Sequence, residues 1–329
     1  MLDQIIQDIP HFYGSSVYSI EQFSQKSIQA VLHLTTLIKN HPAHYKNTLQ
    51  GKILFIDFEN ESTRTMVSTQ MAWLKLGGQV VITDCGVGGT SKIKGEGTID
   101  HFRTLTNYYP DAIALRCSEE FLPFKLSNLF PQIPFYNCGD GNNEHPTQAL
   151  LDFVTICENF GINYLHLDKL AKLKIGFVGD IKHGRTIHSL TKLLRLFGVN
   201  VCFFAKDQLH SENDYDEIIT NYERYDISEL EEKAKDLDII YATRIQKERF
   251  GKEDLELYNK GYFNYVIDKN ILSKTDAILM HPFPRVFEIA KELDNHPRAA
   301  YFGPSGQTTN GLFLRMALFA LTMEENFTF

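Results

Sequence analysis

A short polar segment with residue types suited to anion binding follows the first predicted strand of this chain. The segment ESTRT, residues 61–65, opens a predicted helix. Backbone N–H groups at a helix start carry partial positive charge. The side chains of Ser62, Thr63 and Thr65 add hydroxyl donors, and the guanidinium of Arg64 can hold two oxygens. This combination favours a phosphate site, and a plain helix cap with a solvated arginine is the alternative.

Two further positions suit contacts with a carbonyl or an amide. Arg116 ends a predicted strand, and a guanidinium there needs an anionic or carbonyl partner if it is buried. The segment HPTQ, residues 145–148, begins a long predicted helix. In it, His145 can donate to a carbonyl oxygen and Gln148 can contact an amide nitrogen. The alternatives are a structural ion pair for Arg116 and a simple helix start with Pro146 in its first turn.

The C-terminal half places more arginines after strands. GDIKHGRT, residues 179–186, lies at a strand-to-helix turn with Arg185 at the helix start. It lacks the glycine spacing of a dinucleotide-binding turn, which disfavours a nicotinamide site. After a later strand, Arg244 and Gln246 alternate, so both can face one side if the chain stays extended. The residues that follow them are expected to form a solvated loop.

Two loops complete the set. The glycine-rich segment at residues 88–97 contains Lys92 and Lys94 and is similar to a mobile phosphate loop, although it does not match a Walker A motif. A solvated loop is the alternative there. In HPFPR, residues 281–285, prolines on both sides of Phe283 predict an extended backbone whose carbonyls can bind an ammonium. The alternative for this segment is a rigid connecting loop.

The conjunction of these segments is more informative than any one of them. Arg64, Arg116, Arg185 and Arg244 all follow strand ends, although the chain has a formal net charge of -8. A site lined by these guanidinium groups suits a phosphate together with carboxylates. The sequence offers no metal-binding motif, nucleophile triad or strong general base beside them. The predicted chemistry is therefore a group transfer to a nucleophile that is already potent, such as an amine.

The elements that must position these residues alternate between strands and helices. A chain of 329 residues exceeds the usual size of one hydrophobic core. We predict two doubly wound α/β domains, each with a mostly parallel sheet flanked by helices, and an active site in the interdomain cleft. The expected domains are residues 1–160, with a C-terminal helix at 306–329 packing back on them, and residues 161–305.

The pattern predicts the following elements. The expected strands are residues 52–58, 79–83, 111–116, 134–138, 174–180, 200–206, 238–243 and 277–280. The expected helices are residues 19–39, starting at a capping box of Ser19 and Gln22, and residues 62–76, 146–160, 184–197, 212–222, 228–235 and 310–324.

Composition disfavours several other classes of protein. The acidic balance disfavours nucleic-acid binding, which needs clustered basic charge. The sequence contains no stretch of about 18 apolar residues, so no membrane span is predicted, and no signal peptide is recognised. The five cysteines form no C-x-x-C pair and are expected to be reduced thiols in a cytoplasmic protein. No zinc motif occurs among the histidines, and no metal or cofactor is predicted.

The order of the segments resembles that of catalytic chains in the aspartate carbamoyltransferase family. STRT, the glycine-rich loop, HPTQ, GDIKHGRT, TRIQKERF and HPFPR follow one another as in that family, and the resemblance extends from about Phe55 to the C-terminal helix. STRT with HP-x-Q marks carbamoyltransferases generally, and G-D-x-K-x-G-R-T with T-R-x-Q-K-E-R marks the aspartate branch. The resemblance implies transfer of the carbamoyl group of carbamoyl phosphate to the α-amino group of L-aspartate, a step of pyrimidine biosynthesis.

The resemblance also implies a role for each matching residue, and it implies no cofactor. Ser62, Thr63, Arg64 and Thr65 would hold the phosphate, and Thr65, Arg116 and His145 would polarise the carbamoyl carbonyl. Gln148 would hold the carbamoyl NH₂, and Arg185, Arg244 and Gln246 would bind the two carboxylates of aspartate. Phe283 and Pro284 would place backbone carbonyls near the attacking amine. Ser91 and Lys94 would reach a neighbouring subunit's site, which implies a homotrimer, with a regulatory chain or a dihydroorotase as further possible partners.

Some positions depart from the family pattern. Asn60 stands where an acidic residue often helps to lock the closed domains, and Phe283 and Phe287 replace a usual Leu and a common Asp. The segment 303–309 is also unusual for the family. These departures bear on domain closure, regulation and assembly more than on the chemistry.

The sequence disfavours two rival functions. An ornithine carbamoyltransferase would need an acidic group for ornithine's second ammonium, which Arg185 and Arg244 would repel, and an H-C-L-P loop in place of HPFPR. A catalytically silent paralogue acting as an assembly scaffold would be free to lose four residues that are all present here, namely Arg64, His145, Gln148 and Arg244.

Overall fold

The chain forms two compact units in the computed structural model, which describes residues 12–59, 62–83, 95–210 and 222–325. The first unit comprises Met1–Val154 together with Asn310–Phe329, and the second comprises Thr155–Thr309. Each unit has its own parallel sheet. The predicted fold class of two parallel α/β sheets flanked by helices is therefore confirmed.

Each predicted strand is present within two residues of its predicted ends. The strands are β1 Ile53–Phe58, β2 Gln79–Ile82, β3 Ala112–Cys117, β4 Phe135–Asp140, β5 Lys174–Val178, β6 Asn200–Ala205, β7 Tyr222–Asp226, β8 Ile239–Ala242 and β9 Ile278–Met280. The α-helices are α1 Gln25–Asn40, α2 Thr63–Lys75, α3 Thr98–Thr106, α4 Leu122–Leu129, α5 Pro146–Asn159, α6 Arg185–Arg195, α7 Leu230–Lys233, α8 Lys252–Asn259, α9 Lys269–Ser273 and α10 Gln307–Met323.

The sheet of the first unit has the strand order β2-β1-β3-β4 among the described residues. From β1 the chain moves to β2 on one side and then returns to β3 on the other. The order therefore reverses between β1 and β3, and ligands of doubly wound sheets bind outside the carboxyl ends of strands at such a point. The segment after β1 contains Arg64, and Arg116 lies near the end of β3.

The second unit repeats this arrangement with the order β7-β6-β5-β8-β9 in the part of the chain that the structure describes. Here β5 leads to β6 and β7 on one side, and β8 and β9 lie on the other. The reversal falls between β5 and β8, which are paired from Ile175↔Ile239 to Val178↔Ala242. The GDIKHGRT turn follows β5, and the segment with Arg244 follows β8.

The last helix packs into the core of the first unit. Phe319 of α10 makes edge contacts with Trp73 and Tyr136, with ring centroids 5.0 and 4.8 Å apart. All three side chains are at most 2% exposed. Burying an aromatic side chain of this kind contributes about 1.5–3 kcal/mol, so these contacts fix α10 beside α2 and β4.

Two predicted helices need correction. Ser19 and Gln22 do form a capping box, but it caps only a 3₁₀ turn at Ile20–Gln22. Phe23 is then extended and buried, and α1 starts separately with Ser24 as its cap. The prediction of one helix from Ser19 is therefore wrong, because the backbone is extended at Phe23, whose side chain is buried.

The second correction concerns the predicted helix at 212–222. Residues 211–221 lie outside the described part, but Tyr222 begins strand β7 instead of ending a helix. This strand reads YERYD and forms one edge of the sheet. Its charged side chains can face solvent there, which is why it lacks the apolar run of a central strand.

Other expectations concern cysteines, membranes and metals. Cys117, Cys138, Cys157 and Cys202 are buried free thiols, and Cys85 lies outside the described residues. Over the described ranges, the helices are too short or too polar to cross a bilayer. No group of three or more His, Cys, Asp or Glu side chains within those ranges is placed to hold a metal ion.

Candidate active site

The first cluster begins at the N-terminus of α2, at the carboxyl edge of the first unit's sheet. Ser62 precedes the helix, and its side chain makes no capping hydrogen bond. Thr65 is buried, whereas Thr63 and Arg64 are exposed. Partial desolvation lowers the pKa of Arg64, but a guanidinium keeps its charge at physiological pH. The helix start thus combines backbone donors, hydroxyls and a cation.

His145 brings the HPTQ segment to this helix start. Its Nε2 lies 3.5 Å from Oγ1 of Thr65, which is 80 residues away in the chain. Both side chains are less than 9% exposed. The contact is at the long limit of a hydrogen bond, and such contacts in unliganded sites often tighten when a substrate is present. These two predicted site residues therefore lie together.

Two buried carboxylates hold the loop that precedes His145. Asp140 Oδ2 accepts from the backbone N–H of Phe121, and its Oδ1 accepts from that of Glu144. Glu144 in turn accepts from the Ser19 hydroxyl at 2.7 Å and from the backbone of Ile20. Neither acid is among the site residues predicted from the sequence. The sequence signal that could have indicated them is the polar run GDGNNEH, which starts at the end of β4 and leads to α5.

Arg116 lies in the penultimate position of β3, beside the end of β1. Its backbone pairs in register with Phe58, and its half-buried side chain donates from Nη1 to the carbonyl oxygen of Cys138 at 3.3 Å. The guanidinium is thus held against β4, the strand that leads to His145. This places Arg116 at the same edge of the sheet as Thr65 and His145.

A buried polar network supports the start of α5 from behind. Gln148 donates from Nε2 to Asp152 Oδ1 at 2.9 Å. Arg315 of α10 donates to the hydroxyl of Thr147 at 3.1 Å and to the carbonyl of Gly311 at 2.8 Å. Asp152 and Arg315 are not among the site residues predicted from the sequence. An arginine within the apolar run GLFLRMALFALT was the signal available for the second.

The second cluster lies in the second unit, where Asp180 joins two predicted segments. Its Oδ1 accepts from the backbone N–H of His183 at 3.2 Å and from the ring Nδ1–H at 2.9 Å. Its Oδ2 accepts from the backbone N–H of Gln246 at 2.9 Å, and Gln246 Nε2 donates to the carbonyl of His183 at 2.7 Å. Asp180 is fully buried. The turn before Arg185 and the segment after β8 are therefore locked together.

Gly179 lets these two segments approach so closely. Its φ is +114°, and a Cβ at this position would lie 2.4 Å from the carbonyl oxygen of Thr243. A side chain would therefore push β5 away from β8 at the point where Asp180 joins them. The glycine is required by backbone contact and not by a dinucleotide.

Arg244 follows β8 and is held by an acidic neighbour. Its guanidinium donates from both Nη atoms to the carboxylate of Glu248, with Nη1 at 2.9 Å. This hydrogen bond raises the pKa of Arg244, burial opposes it, and the charges of Asp180 and Glu288 add to the increase. Arg244 is half-buried, as is Gln246, while Ile245 between them is buried. Arg185, at the start of α6, is also half-buried.

The HPFPR segment does not have the extended backbone that was predicted. Phe283 has φ +54°, and its bond to Pro284 is cis. The Phe283 N–H donates to His281 Nδ1 at 2.8 Å, and its ring stacks on Phe302 with centroids 5.2 Å apart. These tertiary contacts outweigh the local preference for an extended residue before proline. Pro284 itself is exposed.

His281 and Glu288 form a buried pair below this turn, with Nε2 and Oε1 2.8 Å apart. Because His281 Nδ1 accepts from Phe283, Nε2 carries the proton and donates to Glu288. Burial alone would raise the pKa of Glu288, but the hydrogen bonds from His281 and from backbone N–H groups prevail and lower it. Glu288 therefore carries a negative charge, and this charge helps to raise the pKa of Arg244.

Some predicted residues lie outside the described residues. They are Ser91 and Lys94 of the glycine-rich loop and Asn60, which precedes the ESTRT helix start. The described site residues fall into two clusters. Thr65, Arg116, His145 and Gln148 lie at one sheet edge with the α2 helix start, and Arg185, Arg244, Gln246 and Phe283 follow the strands of the other sheet.

Comparison with known proteins shows the family of enzymes to which the chain belongs. Residues 15–158 match the family described as aspartate/ornithine carbamoyltransferase, carbamoyl-P binding domain. Residues 171–322 match the aspartate/ornithine carbamoyltransferase, Asp/Orn binding domain. Together these matches span most of the chain, and the chain belongs to the aspartate/ornithine carbamoyltransferase family.

Individual proteins that are similar to this chain carry names from the aspartate branch of the family. The chain is 37% identical over 311 residues to the aspartate carbamoyltransferase catalytic subunit of Bifidobacterium adolescentis, covering 93% of this chain and 92% of that protein. It is 36% identical to the chloroplastic aspartate carbamoyltransferase of Arabidopsis thaliana, covering 96% and 80% of the two chains. The crystal structure of aspartate transcarbamoylase from Trypanosoma cruzi with carbamoyl phosphate and aspartate is similar with a TM-score of 0.83, 34% identity and coverage of 95% and 98%.

Proposed function

We propose that this chain transfers the carbamoyl group of carbamoyl phosphate to the α-amino group of L-aspartate, yielding N-carbamoyl-L-aspartate and phosphate. The observation that supports the proposal is the contact between the side chains of Thr65 and His145, which lies beside the helix start that contains Arg64. It unites donors for a phosphate and for a carbonyl oxygen at one sheet edge. Relatives that match most of the chain are named for this activity, and the Trypanosoma cruzi enzyme has been crystallised with both substrates.

The first unit would bind carbamoyl phosphate. The α2 helix start, with Ser62, Thr63, Arg64 and Thr65, would hold the phosphate. Thr65, Arg116 and His145 would polarise the carbamoyl carbonyl, and Gln148 would hold its NH₂. Residues 1–160 with 306–329 are proposed as this domain, which agrees with the family description matched at residues 15–158.

Hydrogen bonding behind His145 favours the tautomer that this role requires. A guanidinium only donates, so the Thr147 hydroxyl accepts from Arg315 and has its own proton for another acceptor. His145 Nδ1 lies 3.5 Å from that hydroxyl. A neutral ring that accepts there carries its proton on Nε2, the nitrogen that faces Thr65. The Nε2–H can then donate to a carbonyl oxygen.

The second unit would bind L-aspartate through Arg185, Arg244 and Gln246. Residues 161–305 are proposed as this domain. In this structure the Arg244 guanidinium donates to the carboxylate of Glu248. A substrate carboxylate would either share the guanidinium with Glu248 or replace Glu248 as its acceptor. The backbone carbonyls of Phe283 and Pro284 would accept from the substrate ammonium or amine.

The reaction needs little from the protein beyond positioning and charge stabilisation. The deprotonated amine of aspartate attacks the carbamoyl carbon, and the oxyanion of the tetrahedral species is stabilised by Thr65, Arg116 and His145. Loss of one oxyanion donor typically costs about 3–4 kcal/mol. The C–O bond to phosphate then breaks, and the departing phosphate can take the amine proton. Ordered binding of both substrates supplies much of the remaining acceleration.

Assembly and location are proposed from the family resemblance. Ser91 and Lys94 would complete the site of a neighbouring subunit, so a homotrimer is the expected assembly. The expected location is the cytoplasm. A regulatory chain or a dihydroorotase would be an additional partner. A native mass equal to three chains, each of 37.8 kDa, would support the trimer, and a monomeric active enzyme would contradict it.

The most direct test is a colorimetric carbamoyl-transfer assay that offers L-aspartate and L-ornithine separately with carbamoyl phosphate. We expect product with aspartate and none above background with ornithine. Arg185 and Arg244 attract a second carboxylate and repel a second ammonium. Transfer to ornithine at a comparable rate would contradict the proposed acceptor, and transfer to neither would contradict the function.

Replacing Asp180 should weaken aspartate use without affecting carbamoyl phosphate. In Asp180→Asn, one of the N–H groups of His183 or Gln246 would face an amide NH₂ instead of an oxygen. Leaving a buried donor unsatisfied costs about 1–3 kcal/mol. We expect KM for aspartate to rise about 10- to 100-fold, while the Kd for carbamoyl phosphate stays within twofold. Asp100→Asn, at an exposed acid on α3, is the control, and an unchanged KM for aspartate in Asp180→Asn would contradict the role.

A further inference from the structure

The hydrogen bond between Gln148 and Asp152 determines which way the Gln148 amide is oriented. The two residues are one turn apart on α5, and Nε2 lies 2.9 Å from Asp152 Oδ1. Gln148 is 9% exposed and Asp152 is fully buried. An ionised carboxylate only accepts hydrogen bonds, so it can pair with the NH₂ of the amide and not with its oxygen. The amide oxygen of Gln148 therefore takes the other position.

Arg315 is a buried cation that interacts electrostatically with Asp152. Its side chain is 3% exposed, and its two hydrogen-bond acceptors, Gly311 O and Thr147 Oγ1, are both neutral. Burial lowers the pKa of Arg315, and electrostatic interactions with Cys138 and Asp152 oppose this effect. A buried guanidinium stays charged and needs a counter-charge. Asp152 is a buried carboxyl group that interacts with Arg315 electrostatically, and we infer that it is this counter-charge.

The orientation of Gln148 matters because of the chemistry of the group it would contact. A carbamoyl group carries an NH₂, which donates hydrogen bonds, at the position where an acetyl group carries a methyl. An amide oxygen presented to this position accepts from the NH₂ and has no partner in a methyl group. A reversed amide would instead present N–H groups to the NH₂, so two donors would face each other.

We propose that Asp152 is a positioning residue that makes Gln148 present its oxygen to the carbamoyl NH₂. Asp152 thereby sets selectivity for carbamoyl phosphate over acyl phosphates that lack this NH₂. The inference rests on the proposed function and adds a specificity determinant to the same site. Asp152 acts through Gln148 and does not itself touch the substrate.

The test compares three ligands that share a phosphate and differ beside it. Dissociation constants for carbamoyl phosphate, acetyl phosphate and inorganic phosphate are measured by calorimetry for the wild type and Asp152→Asn. An asparagine can pair with either end of the Gln148 amide and no longer selects one orientation. We expect carbamoyl phosphate to bind about 3- to 10-fold more weakly, while acetyl phosphate and inorganic phosphate change less than twofold. Equal weakening of all three ligands would indicate a merely structural role and overturn the proposal.

A double-mutant cycle tests whether Asp152 acts through Gln148. In a Gln148→Leu background, Asp152→Asn should cause no further loss of selectivity, because the amide that it orients is gone. An equal loss in both backgrounds would overturn the proposal. Asp100→Asn is the matched control for an Asp-to-Asn change elsewhere in this unit, and we expect it to leave all three constants unchanged.

Asp152→Asn leaves Arg315 without its counter-charge, so a further variant keeps the test decisive if Asp152→Asn folds poorly. The pair Asp152→Asn with Arg315→Met removes both charges, and the same loss of selectivity is expected. Retained wild-type selectivity in this pair would overturn the role of Asp152. A wild-type chain that transfers no carbamoyl group would overturn the proposed function and this inference with it. Wild-type transfer with unchanged selectivity in Asp152→Asn would overturn only the inference.

Discussion

Arg64→Ala is expected to lower kcat/KM for carbamoyl phosphate by about 10²- to 10³-fold. A guanidinium can give two parallel charge-assisted hydrogen bonds to phosphate oxygens, and such bonds contribute about 1.5–3 kcal/mol each. Arg64 stands in the first turn of α2, where the helix dipole acts on the same anion. Removing it should weaken both substrate binding and stabilisation of the departing phosphate.

The stability of the fold should be little affected by this change. Arg64 is exposed, so alanine leaves no cavity, and alanine also favours the helix. Thermal unfolding of the variant should therefore match that of the wild type within about 2 °C. Steady-state kinetics at varied carbamoyl phosphate and saturating aspartate measure the effect.

The matched control is Arg103→Ala, at an exposed arginine on α3 that pairs with Asp100. It removes the same charge from the same unit and should leave kcat/KM within twofold. If Arg64→Ala retained wild-type affinity for both carbamoyl phosphate and inorganic phosphate, the α2 helix start would not be the phosphate site. A parallel loss in Arg103→Ala would assign the effect to net charge and not to a contact.

Arg244→Ala is expected to raise KM for aspartate at least 100-fold and to leave the affinity for carbamoyl phosphate unchanged. The side chain belongs to the second unit and follows β8, where it is positioned together with Gln246 and Asp180. Loss of a paired carboxylate contact removes about 1.5–3 kcal/mol. The variant also exposes aspartate to Glu248, whose charge Arg244 now balances, and this repulsion adds to the loss.

The two contributions can be separated by removing Glu248 as well. In Arg244→Ala with Glu248→Ala, the repulsion disappears but the lost attraction remains, so KM for aspartate should recover only in part. Full recovery would mean that Arg244 only neutralises Glu248 and does not bind substrate. Arg224→Ala, at an exposed arginine of β7 beside Tyr222, is the control for charge within this unit. Wild-type affinity for aspartate in Arg244→Ala would overturn the proposed acceptor site.

Local patterns in the sequence were sufficient for most of the secondary structure. Strands such as β1 and β8 are apolar runs bounded by polar turns, and their bounds were predicted within two residues. Prediction failed where burial of one side chain decided the backbone, as at Phe23, and where an edge strand lacked an apolar pattern, as in β7. In both cases the deciding interaction comes from outside the segment, so no local pattern records it.

The candidate site residues were selected from the sequence because their types and their places after strands are local properties. Their partners were not selected, because a partner is defined by distance in space. Asp180 reaches Gln246 across 66 residues, and Arg315 reaches Thr147 across 168. The conformation of Phe283 is a further example, since stacking on Phe302 and a hydrogen bond to His281 overcame the preference of a residue before proline.

By itself, the sequence determined that this is an α/β chain with two mostly parallel sheets flanked by helices, and that side chains suited to anion binding follow its strands, because strand periodicity, helix starts and residue chemistry depend on neighbouring positions. Only the tertiary structure decided which of these side chains lie together, as Thr65 and His145 do. It also decided the partner of the buried acid Asp180, because its hydrogen bond to Gln246 depends on packing that brings two distant segments within about 3 Å.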